Sequence, residues 1–306
     1  MPSRSTIWRR RCTALGALAA LAVLAAWALA AIGGPGGQPF WRQISGTGAT
    51  TKTIRVRSSA LGRRVKVDVI LPPGDLAGRP LVVDLHGKGS KAPSAGDFAA
   101  GLDVFDELGD RAPVVVLASD DGDSYWHDRR TGRWGTYVAR DLVRAVRKRY
   151  ALSEITALSG LSMGGSGVLT AALSHPGEFC AVVASSPALW TDGGLSAAGA
   201  YDDAEDYAAT NPFALFAATP RALASTPLWI DIGDRDPFLQ ATRAFATKAK
   251  PTTPGLRFTV EPGGHDGHFW RARYPRYMRW LAERLATCGA AAKSTAGDVA
   301  VDAGSR

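Results

Sequence analysis

Cysteine is scarce in this chain, and what little there is suggests no metal centre. Three cysteines occur in 306 residues, with no Cys-x-x-Cys and no Cys/His cluster at metal-ligand spacing, so neither a metal nor another cofactor is expected. Basic residues interleaved with aromatics are also lacking. The formal charge of +8 includes Arg4, Arg9, Arg10 and Arg11 at the extreme N-terminus, and the remaining Lys and Arg are scattered. Nucleic acid is therefore excluded as a partner. There is no internal repeat, and no propeller-sized N-terminal domain that would gate peptides.

Long apolar runs are absent but for one. Residues 12–32 form an uncharged stretch rich in Ala and Leu directly behind the arginines. A positive flank before an apolar run is the layout of an export signal. Ala28-Leu29-Ala30 offers the small residues a signal peptidase needs. The run is also long enough to span a bilayer as a helix, so cleavage and retention as a membrane anchor both stay open. Arg9 to Arg11 hint at twin-arginine export. Either route places the domain outside the cytoplasm. Cys12 precedes the apolar run and is not placed as a lipid-modified cysteine. Cys180 and Cys288 remain for an exported domain, where a disulfide is permitted; two separate buried thiols are the alternative.

Residues 33–50, rich in Gly, Thr and Ser, read as a linker, and 51–288 as one domain. Ile54-Arg55-Val56-Arg57 and Val65-Lys66-Val67-Asp68-Val69 alternate apolar with polar residues, as an antiparallel pair at a sheet edge does. Short apolar runs follow at Leu81-Val82-Val83, Val114-Val115-Val116-Leu117, Ile155-Thr156-Ala157-Leu158, Ala181-Val182-Val183-Ala184, Leu228-Trp229-Ile230 and Phe258-Thr259-Val260. Helix-like segments at 97–108, 137–150, 165–173, 240–249 and 271–286 separate most of them. That alternation predicts an α/β domain: a mainly parallel sheet with helices on both faces and a site at the C-terminal strand ends. Residues 190–226 are a less regular excursion with an acidic patch at Asp202, Asp203, Glu205 and Asp206. A cap, a substrate-contacting loop and a solvated insertion all fit it. The small, polar tail 289–306 is expected to be disordered.

Chemistry concentrates at the strand ends. Gly160-Leu161-Ser162-Met163-Gly164 follows a strand ending near Leu158 and precedes a helix from Gly165. Glycines there permit a sharp turn that lifts the Ser162 hydroxyl above the sheet, beside a helix N-terminus. A serine hydroxyl needs a base and a group that orients the base. His265, behind the diglycine Gly263-Gly264, is preferred over His268, which suits a pocket wall. Of Asp231, Asp234 and Asp236, the last sits beyond a glycine turn and is preferred; Asp234 suits a turn residue or a partner of Arg235. His86 falls where it would shape an oxyanion loop, whereas His127 and His175 suit structural or substrate contacts. An oxyanion needs two donors in place. The Met163 amide is one, and the amides of Gly87 and Lys88 are candidates for the other.

With Leu85-His86-Gly87, Gly160-Leu161-Ser162-Met163-Gly164-Gly165, Gly233-Asp234-Arg235-Asp236-Pro237-Phe238 and Gly263-Gly264-His265 with Trp270, the sequence resembles the esterase D and antigen 85 group of α/β-hydrolases. Asp121-Gly122-Asp123-Ser124-Tyr125-Trp126 resembles a loop that lines the pocket in that group. The resemblance implies an α/β-hydrolase fold and Ser162, Asp236 and His265 as a triad. It further implies Lys88 and Met163 as oxyanion amides; Gly87, Trp126 and His268 are the candidates to face the substrate. The implied activity is hydrolysis of a small-molecule or lipid ester, or acyl transfer to a sugar such as trehalose. Antigen 85 proteins carry Glu as the acid and differ after the nucleophile, which weakens the mycolyl-transfer reading. A catalytically silent binding protein is the rival from another class, and the intact triad speaks against it.

Overall fold

The computed structural model describes residues 48–89, 102–120 and 122–303. The export segment, nearly all of the linker, the start of the 97–108 segment and Asp121 lie outside them. Strands β1 (Thr50–Ser58) and β2 (Arg63–Leu71) pair antiparallel over their whole length. Their inward Ile54, Val56, Val65 and Val67 are buried while Arg55, Arg57, Arg64 and Lys66 are exposed, the signature of a half-covered ribbon. Next come β3 (Leu81–Leu85), helix α1 (Asp103–Leu108) and β4 (Val114–Leu117). A two-stranded excursion, β5 (Asp128–Arg129) and β6 (Gly132–Arg133), precedes a π-helical stretch Tyr137–Leu142 that runs into α2 (Val143–Tyr150). The rest alternates: β7 (Thr156–Leu161), α3 (Met163–Ser174), β8 (Val182–Ser185), α4 (Ala204–Thr210), α5 (Pro212–Ala218), β9 (Leu228–Gly233), α6 (Leu239–Ala249), β10 (Leu256–Glu261) and α7 (Gly267–Ala303).

Eight strands form one sheet in the order β1-β2-β4-β3-β7-β8-β9-β10. Pairs from β4 through β10 are parallel, and β2 meets β4 antiparallel. Alternate strand residues feed two apolar clusters. Leu81, Val83 and Leu85 join one with Val146 of α2, Val168 and Leu169 of α3 and Phe245 of α6. Val82, Val115 and Trp229 join the other with Phe105 of α1 and Tyr277, Met278 and Leu281 of α7. Helices thus cover both faces, and the central strands are apolar throughout because neither face meets water.

Three boundaries differ from expectation. β7 runs to Leu161 and α3 begins at Met163, leaving Ser162 alone as the turn. α7 begins at Gly267, because the Asp266 carboxylate accepts from the His268 and Phe269 amides and caps it. The same helix continues through the expected disordered tail to Ala303; Ala290, Ala291 and Ala292 there are strong helix formers. Cys180 and Cys288 form a disulfide with Cα atoms 6.2 Å apart, tying the approach to β8 onto α7. Among the described residues no helix is long and apolar enough to cross a membrane.

Candidate active site

Strand order reverses around β3: the chain steps from β3 to β4 on one side, then to β7 on the other. The loops leaving β3 and β7 therefore part at their C-terminal ends and open a crevice between them, the switch point where open α/β sheets take ligands. Ser162 stands on one side of it and Gly87 on the other. A Cβ placed on Gly87 would lie 3.3 Å from Ser162 Cβ and 2.9 Å from Leu161 Cδ1, so glycine lets the two loops touch.

The Ser162 turn is strained. Its φ of 55° and ψ of −117° fall where side chains are rarely tolerated. Tight packing beneath it holds the turn: a Cβ on Gly164 would sit 1.9 Å from the Leu85 carbonyl oxygen. The Ser162 amide donates to the Ser185 carbonyl (3.0 Å), while its own carbonyl accepts from Ser166 and Ala188. What emerges above the sheet is the hydroxyl, at the N-terminus of α3.

Loops after β9 and β10 bring two further side chains to that hydroxyl. Ser162 Oγ lies 2.8 Å from His265 Nε2, and His265 Nδ1 lies 2.8 Å from Asp236 Oδ2. The Asp236 side chain is fully buried, and its other oxygen accepts from the Phe238 amide at 2.9 Å. The two loops are fastened together. Arg235 N–H donates to Gly263 O, and Asp234 accepts from Gly263 N–H at 2.9 Å while lying 3.3 Å from Arg235. Asp231 stays below, on β9. It accepts from Tyr277 Oη at 2.6 Å, and burial pushes its pKa up to about 6 against the opposing Tyr277 and Ser185 hydrogen bonds and the Arg273 charge.

The structure keeps His268 out of this relay; it is exposed in the first turn of α7. Trp126, expected to face the substrate, is buried. It is 1% exposed, wedged against Gly167 of α3, and its indole N–H donates to the His86 carbonyl at 3.1 Å. A flat ring with one donor fits a gap left by glycine, so Trp126 braces the β3 loop instead of facing the crevice. The Lys88 side chain reaches the Ala198 carbonyl at 2.9 Å and ties the same loop to the 190–226 excursion. That excursion is no loose solvated insertion: Asp202 pairs with Arg129 (3.0 Å), Asp203 with Arg130 (2.9 Å) and Asp206 with His127 (3.0 Å). Among the described residues, His175 has one ion partner, Glu178, at 3.6 Å.

Two features escaped the sequence. Trp190, Phe238, His265 and Trp270 form an edge-to-face aromatic row with centroids 5.0–5.5 Å apart, flanking the relay. Asp120, just past β4, takes His86 Nε2 at 3.1 Å. An acidic residue two or three positions beyond a strand at this edge was the available signal. Among the described residues, no group of three or more His, Cys, Asp or Glu gathers to hold a metal.

A solved structure of a ferulic acid esterase is similar to this chain, with TM-score 0.64 and 21% identity over 77% of this chain and 98% of that one. An S-formylglutathione hydrolase from Agrobacterium tumefaciens gives TM-score 0.63 and 20% identity over 79% and 97%. Mycobacterium tuberculosis MPT51 gives 0.62 and 17% over 77% and 99%. At such identities the likeness establishes the fold, an α/β-hydrolase fold. The family model described as "Putative esterase" matches residues 58–281, which span β1's last residue to the middle of α7. The chain belongs to that esterase family and is a carboxylic-ester hydrolase.

Proposed function

We propose that the protein is an exported serine esterase in which Ser162 attacks the ester, His265 is its base and Asp236 orients that base. The observation that carries this reading is the continuous chain from Ser162 Oγ through His265 to buried Asp236, with both contacts at 2.8 Å. His265 Nε2 takes the hydroxyl proton as Oγ bonds to the carbonyl carbon. The amides of Met163 and Lys88 receive the oxyanion. Collapse expels the alcohol, which leaves with the proton from His265, and an acyl-enzyme remains. Water, deprotonated in turn by His265, releases the acid. A sugar hydroxyl in place of that water would give acyl transfer through the same groups. Export is supported by the arginines ahead of the apolar run 12–32, which would anchor the protein to the membrane if uncleaved, and by the Cys180–Cys288 disulfide, a bond of oxidising compartments.

p-Nitrophenyl esters of graded chain length, offered with and without trehalose, test the reading. Turnover is expected, with Ser162 labelled by a fluorophosphonate. Ser162→Ala should lower kcat/KM by about 10⁴-fold or more while the fold persists. More than a hundredth of the activity surviving in that variant, or an unlabelled Ser162, would sink the proposal. Acylated trehalose among the products would move the assignment from hydrolase to transferase.

A further inference from the structure

Two buried side chains outside the relay meet at the loop that faces it. His86 is 3% exposed, and the Asp120 side chain is fully enclosed. His86 Nδ1 lies 2.8 Å from the Gly87 carbonyl oxygen, and Nε2 lies 3.1 Å from Asp120 Oδ1. A carbonyl oxygen can only accept, and so can an ionised carboxylate. Nδ1 is therefore the ring nitrogen that donates to Gly87 O, while Nε2 faces the Asp120 carboxylate. Asp120 is the ionised partner. It also accepts from the Gly122 and Ser124 amides, at 2.6 and 2.9 Å. Burial alone would raise its pKa, but His86 and Ser124 together hold it below the usual carboxylate value. The Nε2 contact is close without being a well-aligned hydrogen bond.

Other groups enclose the ring. Asp84, on β3, lies within electrostatic reach of His86. Trp126 packs edge-on, with centroids 5.0 Å apart. Tyr137, whose hydroxyl is buried, lies within electrostatic reach of Asp120. The geometric consequence lies one bond away. The Gly87–Lys88 peptide is trans, so its C=O and N–H point to opposite sides. Pinning Gly87 O on the imidazole turns the Lys88 N–H away from His86. Gly87 itself packs on the nucleophile turn, and Gly89 N–H is held by Gly122 O at 2.7 Å on the far side.

We propose that His86, hydrogen-bonded through Nδ1 to the Gly87 carbonyl and held against Asp120, is a positioning residue that fixes the Gly87–Lys88 peptide with its N–H toward the oxyanion formed at Ser162. The inference rests on the serine-esterase reading above. It assigns the His86–Asp120 pair to transition-state geometry and not to binding of the ester. His86 touches no reacting atom; it acts through one peptide plane.

The test compares His86→Leu, His86→Asn and Asp120→Asn with the wild type on p-nitrophenyl butyrate, together with inhibition by a trifluoromethyl ketone, whose adduct carries an oxyanion. His86→Leu should lower kcat roughly 10²-fold or more, the loss typical of one oxyanion donor, and weaken the inhibitor in parallel. Its KM should stay within about threefold, since ground-state contacts are untouched. Asn can still donate to Gly87 O and should recover at least about tenfold over Leu. Asp120→Asn should fall between the two. Should His86→Leu not fold, ¹⁵N spectra of the Ser162→Ala protein at neutral pH read the ring directly. A proton on the His86 Nδ1 is expected, and a ring protonated on Nε2 alone would overturn the proposal. So would a His86→Leu enzyme with kcat within about threefold of wild type, or a loss confined to KM. A wild type that neither turns over nor labels at Ser162 overturns the esterase reading itself, and this inference falls with it.

Discussion

Buried carboxylates are the residues most sensitive to pH in this fold. Asp84 lies on β3 under the oxyanion loop, with Oδ1 unpartnered. Burial pushes its pKa up to about 7, against the weaker opposing effects of the Ser159 hydrogen bond and the His86 charge. A carboxyl that keeps its proton in the folded state but loses it near 3.8 when unfolded favours folding at low pH. That contribution is complete below about 3.8, shrinks as pH rises, and is gone above about 7. Asp84→Asn should therefore flatten the pH dependence of stability, and its gain over wild type should be largest at pH 8. The difference between pH 5 and pH 8 should amount to a few kcal/mol at most, as a shift of this order implies. Urea unfolding at the two pH values reads it, and parallel curves for both proteins would refute it. At this scale the sequence was legible where chemistry sits beside glycine: Ser162, Asp236 and His265 each follow a glycine turn at a strand end, and the structure brings them together. Asp120 and the ring row from Trp190 to Trp270 were not legible, because their meaning is a meeting across far-apart segments. The burial of Trp126 is illegible for the same reason, since only packing shows that Gly167 receives its ring.

Elements were legible to the degree that their faces are covered. The parallel strands announced themselves as apolar runs because helices bury both sides, and the β1–β2 ribbon announced itself by alternation because one side is open. Helix ends were read less well, since caps such as Asp266 act through a turn that no periodicity records. The open face of the ribbon carries a feature that register alone exposes: Arg55 lies opposite Lys66, and Arg57 opposite Arg64. Like charges directly opposed across an antiparallel pair are destabilising. Among the described residues none of the four has an ion-pair partner, so the repulsion is not locally relieved. Arg57→Glu should convert one repulsive pair to an attractive one and raise stability by roughly 0.5 kcal/mol at low salt. The gain should fade as salt screens it. A melting temperature that is unchanged at low salt, or a gain that persists in 1 M salt, would show that side-chain charge is not what governs the ribbon.

Across the whole molecule, one covalent link joins the parts that the sheet alone would leave independent. The Cys180–Cys288 bridge closes 108 residues of chain. Inside that loop lie Asp236 and His265; Ser162 lies outside it. α7 is the helix at stake, because it covers one sheet face through Tyr277, Met278 and Leu281 and follows directly on the His265 loop. A link across so long a loop restricts the unfolded chain strongly, and its removal should cost about 2–5 kcal/mol. Replacing both cysteines with serine should lower the urea midpoint accordingly, and reducing the wild type should reproduce the shift. Turnover in the absence of denaturant should hardly change, since the relay is fastened by Asp234, Arg235 and Gly263 independently of the bridge. An unchanged midpoint would mean that apolar packing alone fixes α7. A lost turnover with an unchanged midpoint would mean that the bridge sets the His265 loop, which the hydrogen bonds between the two loops argue against.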